Sequence, residues 1–307
     1  MSKLLLIVAA AASAFAQSPL VNNVGNFIHD VSDLERSAHF YHDVLGMDQP
    51  RPVGDWQTTE GVLKMYDAEG GKFRVANAQI PGSPMRVELV EFEGVERKPV
   101  RRPWGAVGNS VLILTVGDLS PVNARLKASG TRLAVGLKTA CDGRGLVAED
   151  PDEFAVMVVE RKGSDLAPKS NFTGMKFGYL VSRDALEKGP FAALGLDARA
   201  RKSTCRPVEE VLLNGGGAIS TVTLPGGFEI WLAQSRAKSS IAGVRPRDPG
   251  AAVLRLMVTD VDKAVGALRQ AHMDVVSVGG AIQTLPPAGL RAAILQAPDD
   301  LLIQVVK

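Results

Sequence analysis

The chain has 307 residues but only 2 Cys, 4 His and 5% aromatic residues, and its charges nearly cancel, with 35 Lys plus Arg against 33 Asp plus Glu. Each scarcity excludes something. With only Cys141 and Cys205, at most a single disulfide can form within the chain. A net charge of +2 with no dense basic run gives no electrostatic footprint for nucleic acid or an anionic membrane. Few aromatics mean few platforms for stacking bases or sugars, so a ligand pocket has to be walled by aliphatic side chains and Met. Long apolar runs are absent as well: Leu4–Ala12 is too short to span a bilayer.

That apolar run follows Lys3 and precedes Ala14-Phe15-Ala16-Gln17, the pattern of a cleaved secretory leader. Residues 1–16 are therefore expected to be a signal peptide. The mature chain is expected to start at Gln17, in the periplasm or outside the cell, with no membrane attachment after cleavage. In an oxidising compartment Cys141 and Cys205 either close one disulfide or remain as two small buried apolar side chains.

What is abundant is Gly (31) and Pro (18), the punctuation of short strands and tight turns. Four segments then repeat one grammar. The first runs from Asn26 to Gly46: an alternating strand, an Asp33 cap, a helix with Leu34, Ala38, Tyr41 and Leu45 on one face, and a Gly stop. The second starts at Val111 and passes Pro121, Val122 and Leu126 to Gly130. The third runs from Lys176 to Gly195, and the fourth from Val253 through Val261, Ala264, Val265 and Leu268. Each helix is followed by short apolar segments that close with strands such as Arg86–Phe92, Phe154–Glu160, Phe228–Ala233 and Leu301–Val306. The unit is β-α-β-β-β, and the expected boundaries are 22–97, 104–163, 172–236 and 249–307.

With Val31-Ser-Asp-Leu-Glu-Arg-Ser, Phe40-Tyr-His-Asp-Val-Leu-Gly-Met47, the Asp150-Pro-Asp turn and Ala297-Pro-Asp-Asp, the sequence resembles the vicinal oxygen chelate superfamily, which includes glyoxalase I, bleomycin-resistance proteins and extradiol dioxygenases. The resemblance spans about residues 22–307. In unit three a Leu224-Pro-Gly-Gly turn replaces Asp-Pro-Asp. It implies an α+β protein in which four βαβββ modules pair into two curled-sheet domains with helices outside, each pair enclosing a cleft. In metal-dependent members that cleft holds a divalent ion that chelates two neighbouring substrate oxygens.

Carried over residue by residue, the family's metal positions fall on Asn26 and Glu88 in unit one, Val111 and Met157 in unit two, Lys176 and Glu229 in unit three, and Val253 and Gln304 in unit four. The usual first-strand His is missing from all four, and Val and Met offer a hard ion nothing. Pairing unit one with unit two leaves Asn26 and Glu88; pairing it with unit four adds Gln304. No cofactor is expected, with a divalent metal as the alternative should Asn26, Glu88 and Gln304 converge. His29 lies on the strand face opposite Asn26, while His39 and His42 share a helix face directed to solvent.

The residues of the expected cleft offer acid–base chemistry. A Glu88 facing Val111 and Met157 would have a raised pKa and serve as general base, with Asn26 polarising an oxygen and Asp30 on the same strand face. The bland reading is a Glu88 hydrogen-bonded to Asn26 or to an Arg such as Arg74 or Arg86. Lys176, Glu229 and Arg255 are expected to share the second interior, with Trp231 covering a ligand or filling the core. The Gly215–Gly217 run reads as a hairpin turn. These residues give an exported glyoxalase-like protein that binds and converts a small organic molecule by metal-independent chemistry of lyase or isomerase type. Its alternatives are a non-catalytic sequestering protein and a metal-dependent dioxygenase or glyoxalase-like enzyme.

Overall fold

The computed structural model describes residues 19–101, 103–161, 170–182, 189–200, 207–213, 219–235, 237 and 243–307. The expected signal peptide, Cys205 and the Gly215–Gly217 turn lie outside them. Two eight-stranded sheets account for the fold, and their composition settles how the units pair. The first sheet takes β1 (Val21–Asp30), β2 (Lys72–Gln79) and β3 (Arg86–Glu93) from unit one. From unit four it takes β12 (Ala252–Val258), β13 (Asp274–Val275), β14 (Gln283–Leu285), β15 (Leu290–Gln296) and β16 (Leu302–Val306). Its order is β13-β15-β16-β12-β1-β3-β2, with β14 beside β15. The second sheet joins β4 (Ser110–Val116), β5 (Leu133–Ala140), β6 (Gly143–Glu149) and β7 (Ala155–Glu160) to β8 (Phe172–Val181), β9 (Ala198–Ala200), β10 (Ile219–Thr223) and β11 (Glu229–Gln234). Unit one thus pairs with unit four, and unit two with unit three.

Within every unit the first and last strands run parallel, which requires a crossover, and the helix supplies it. Between paired units the first strands, β1 with β12 and β4 with β8, meet antiparallel. The helices are α1 (Leu34–His39, continued by a π-helical turn Phe40–Leu45), α2 (Glu60–Met65), α3 (Ser120–Ala128), α4 (Pro190–Ala193), α5 (Val208–Leu212) and α6 (Val261–Gln270). Asp33 caps α1 by accepting the Arg36 N–H, Asp260 caps α6 in the same way from Lys263, and Gly46 ends the first helix at φ 91°. Unit one departs from the strict repeat. Where a strand is expected after the helix, Asp48 and Gln57 make only isolated bridges and α2 follows.

Alternation divides each sheet into an outer and an inner face. Phe27, Leu89, Leu254 and Ile303 from the first sheet meet Leu112, Val156, Phe177 and Ile230 from the second, with Leu34, Leu126 and Leu268 of the helices, in one shared core. Phe27 contacts both Phe154 and Phe177, at ring-centroid distances of 5.5 and 5.1 Å. The inner faces have separate cores. Ile28, Val90, Val253 and Leu302 line the first with Leu63, Met65 and Tyr66; Val111, Met157 and Trp231 line the second with Val208 and Leu212.

His29 belongs to the shared core. It is fully buried, its Nδ1 faces the Ala251 carbonyl (3.0 Å) and its Nε2 the Asp150 carboxylate (2.6 Å), to which Tyr41 also donates (3.3 Å). A carbonyl and a carboxylate both accept, so this setting favours the protonated ring, which can donate from both nitrogens. Burial alone would lower the His29 pKa, but the Asp150 charge and hydrogen bond hold it above the ordinary value.

Candidate functional site

The inner face of the first sheet brings four of the expected polar residues together. Parallel pairing sets Ile28 beside Glu88, so Asn26, two residues back on the same face, reaches the carboxylate: its Nδ2 donates to Glu88 Oε2 at 3.0 Å. Across the β1–β12 junction the register slips between Val24↔Leu256 and Phe27↔Leu254, so Gly25 and Asn26 together oppose Arg255 in a β-bulge. Parallel pairing of Arg255 with Gln304 places that amide alongside. Arg255 donates through Nη1 and Nη2 to the two Glu88 oxygens, at 3.1 and 3.0 Å, and through Nε to Gln304 Oε1 at 2.5 Å. Gln304 Nε2 donates to the Met65 sulfur of α2 at 2.9 Å. Gln304 is 1% exposed and Asn26 8%, whereas the side chains of Glu88 and Arg255 keep 17% and 21%, so the ion pair is the solvent-facing part of the cluster.

Three expectations are corrected here. Arg255 does not join Lys176 and Glu229: alternation gives a side chain its face, but the sheet it serves depends on unit pairing, which puts β12 against β1. Val111 and Met157 do not face Glu88, because both sit in the apolar inner core of the other sheet. The Glu88 pKa is not raised. Burial pushes it up, but the Arg255 charge and hydrogen bonds, with help from Asn26, hold it below the ordinary carboxylate value. Its partners are Asn26, as one reading of the sequence expects, and Arg255 in place of Arg86 or of Arg74, which bonds Glu35 and Glu91. Where the Arg86 charge enters, it only adds to the lowering.

The raised carboxyl is Asp30, at the inner end of β1 and 1% exposed, with neither oxygen hydrogen-bonded among the described residues. Burial and the Glu88 charge push it well above the carboxylate range. Tyr66, just past α2, has a buried hydroxyl whose ionisation is opposed by burial and by Asp30. Tyr66, Met65 and Asn77, which pairs with Glu88 across β2–β3, complete the site. None of the three is picked out by the sequence. Asn77 was nevertheless accessible in principle as an amide on the same strand face as Phe73.

In the second sheet Lys176 Nζ donates to Glu229 Oε2 at 2.5 Å, and Trp231 Nε1 reaches the same oxygen at 3.2 Å. The ammonium lies 4.9 Å from the Trp231 ring centroid. Trp231 is 1% exposed and belongs to the core. Val111, Met157, Val208 and Leu212 pack around it, so this inner face is largely filled. His39 and His42 are exposed and share Asp43 as partner. Cys141 is disulfide-bonded.

The four units make two sheets of two units each, every sheet with its own inner face, and residues 30–158 match the model of the Glyoxalase/Bleomycin resistance protein/Dioxygenase superfamily. The resemblance expected over residues 22–307 is thus matched by the family model across units one and two. Glyoxalase I from Zea mays is similar over 92% of this chain and 91% of its own, with a TM-score of 0.62 at 15% identity. A putative dioxygenase from Bacillus subtilis is similar over 94% and 86%, with a TM-score of 0.58 at 14% identity. At these identities the likeness is one of fold. A search of curated proteins found no match.

The resemblance implies a divalent ion on the inner face, and pairing unit one with unit four does bring Asn26, Glu88 and Gln304 together. The donors are nonetheless committed. Both Glu88 oxygens and the Gln304 carbonyl accept from Arg255, and Asn26 presents its amide N–H rather than its oxygen. Among the described residues no three His, Cys, Asp or Glu side chains form a metal-binding group. As arranged, these residues do not fit a divalent cation.

Proposed function

We propose that the chain is an exported protein that binds a small, uncharged, oxygen-bearing organic molecule on the inner face of the first sheet. The observation that carries this reading is the partly exposed Glu88–Arg255 pair, with Asn26 and Gln304 beside it, on an inner face whose walls are mainly Ile28, Leu63, Met65, Val90, Val253 and Leu302. Such a face follows the general form of a small-molecule site, with aliphatic and aromatic walls and few polar groups. Because Glu88 already neutralises Arg255, the site favours no charged ligand. The remaining guanidinium N–H groups and the Asn26 amide are suited to a carbonyl, ether or hydroxyl oxygen.

Binding is favoured over conversion because a carboxylate held in two charge-assisted hydrogen bonds, with a lowered pKa, makes a weak general base. Export is supported by the leader pattern of residues 1–16 and by the disulfide at Cys141, which suits an oxidising compartment. The test is a thermal-shift and ligand-observed NMR screen of the chain from Gln17 against small carbonyl and ether compounds, with product analysis on every hit. A binder at 100-fold over its Kd should stabilise by about 2.7 kcal/mol and be recovered unchanged. Consumption of a hit that disappears in Glu88→Gln would overturn the binding reading and restore Glu88 as a base.

A further inference from the structure

Glu88, Asn26 and Gln304 surround one positive charge, and that charge is covalently part of the chain. We propose that Arg255 is the resident cation of the first inner face and keeps divalent ions out. Removing its guanidinium would then open an all-oxygen site for an ion such as Mn2+. Four observations support this. The guanidinium uses three nitrogens on three oxygens, two from Glu88 and one from Gln304. Gln304 is oriented from behind, since its Nε2 donates to Met65 and its carbonyl therefore points at the cation. The neighbouring strand is shaped for the Arg255 stem: a Cβ on Gly25 would lie 2.7 Å from its Cγ and 2.8 Å from its Cδ. The bulge that creates this notch also brings Asn26 to the carboxylate.

One carboxylate and two amide oxygens form a hard donor set of the kind Mn2+ and Mg2+ accept, with water completing the shell. What keeps such an ion away is the charge already present and the use of both carboxylate oxygens, rather than a shortage of donors. The second sheet provides an internal comparison. There Lys176 is paired with Glu229, but the other two positions are Val111 and Met157, so freeing Glu229 leaves a single carboxylate. Only the first inner face should acquire a metal when its cation is removed.

The experiment titrates Mn2+ alone into the folded chain and follows the free-ion EPR signal, with metal content after desalting as a second readout. It compares wild type, Arg255→Met, Arg255→Met/Glu88→Gln and Lys176→Met, each checked for folding by circular dichroism. Wild type and Lys176→Met should leave Mn2+ free up to about 1 mM, the weak end of biological oxygen sites. Arg255→Met should bind one ion per chain at least about tenfold more tightly, and the double variant should lose it. If Arg255→Met fails to fold, Arg255→Gln, which keeps a polar stem, replaces it. Stoichiometric Mn2+ on wild type that vanishes in Glu88→Gln would overturn the proposal. So would a folded Arg255 variant that binds no better than wild type. No organic ligand takes part, so this result and the ligand screen fail or succeed separately.

Discussion

A buried carboxyl group with no hydrogen-bond partner among the described residues is expensive when ionised, and burial with the Glu88 charge pushes the Asp30 pKa well above the carboxylate range. The sign of the consequence is fixed. With its folded pKa above the unfolded value, Asp30 withdraws stability as pH rises from the ordinary carboxylate range toward the folded value, and the loss stays constant beyond it. Asp30→Asn removes that titration. Urea unfolding at a series of pH values should show the variant gaining on wild type as pH rises through this window; an unchanged difference would mean that Asp30 is ionised in the fold. Glu88, two strand positions from Asp30 in the paired register, behaves oppositely. Its lowered pKa contributes stability that is lost as pH falls through the folded value. Two carboxyls on one face thus differ because Glu88 is hydrogen-bonded to a guanidinium, whereas Asp30 has no hydrogen-bond partner among the described residues and only the weaker pull of the Arg97 charge.

At the scale of elements, β1 does the most. It joins β3 on one side and β12 on the other, and the bulge at Gly25 and Asn26 fits it to Arg255. Gly25→Ala adds a methyl against the Arg255 stem, so the stem has to swing away from Glu88. We expect a loss of about 1–3 kcal/mol on denaturant unfolding, as in other overpacked sites. A variant as stable as wild type would show that the notch is not needed. Much of this level could be read in the sequence. The Asp33 cap, the Leu34, Ala38, Tyr41 and Leu45 face and the Gly46 stop follow from local chemistry, and strand alternation places Asn26 and Glu88 on one face. Helix α2 could not be read in the same way. Its six residues are too few to display a period, and it is held by packing of Leu63, Met65 and Tyr66 on the inner face. Arg255 was assigned to the right face and the wrong sheet for a related reason: local pattern carries no information about which distant strand edge a strand will meet.

Across the whole molecule, the two sheets communicate through charge as well as packing. His29 on β1 of the first sheet and Asp150 beside β7 of the second form a buried pair. Because the His29 pKa is raised on folding, its contribution is complete below the unfolded value near 6.5 and is lost as pH rises through the folded value. Unfolding followed between pH 6 and pH 9 should therefore show stability declining across that range from this group, and His29→Gln should flatten the decline while costing about 3–5 kcal/mol at pH 6. A steeper decline in the variant would contradict the assignment. The sequence placed His29 on the outer face, but the Asp150 turn that meets it comes from another unit, about 120 positions away, and only tertiary structure brings them together.

The nested pairing, with units two and three enclosed between units one and four, also sets an order of events during synthesis. The middle sheet is complete as soon as its own contiguous segment has emerged, whereas β1 must wait for β12, more than 220 residues later. At ribosomal speeds of roughly 5–20 residues per second, that interval is on the order of ten seconds or more. Throughout it, the β1 edge that will bind β12 lies open and Glu88 has no guanidinium beside it. The nascent first unit is thus the segment most in need of protection before the last strands arrive, and a chain cut short of residue 250 would present that edge permanently as a template for association.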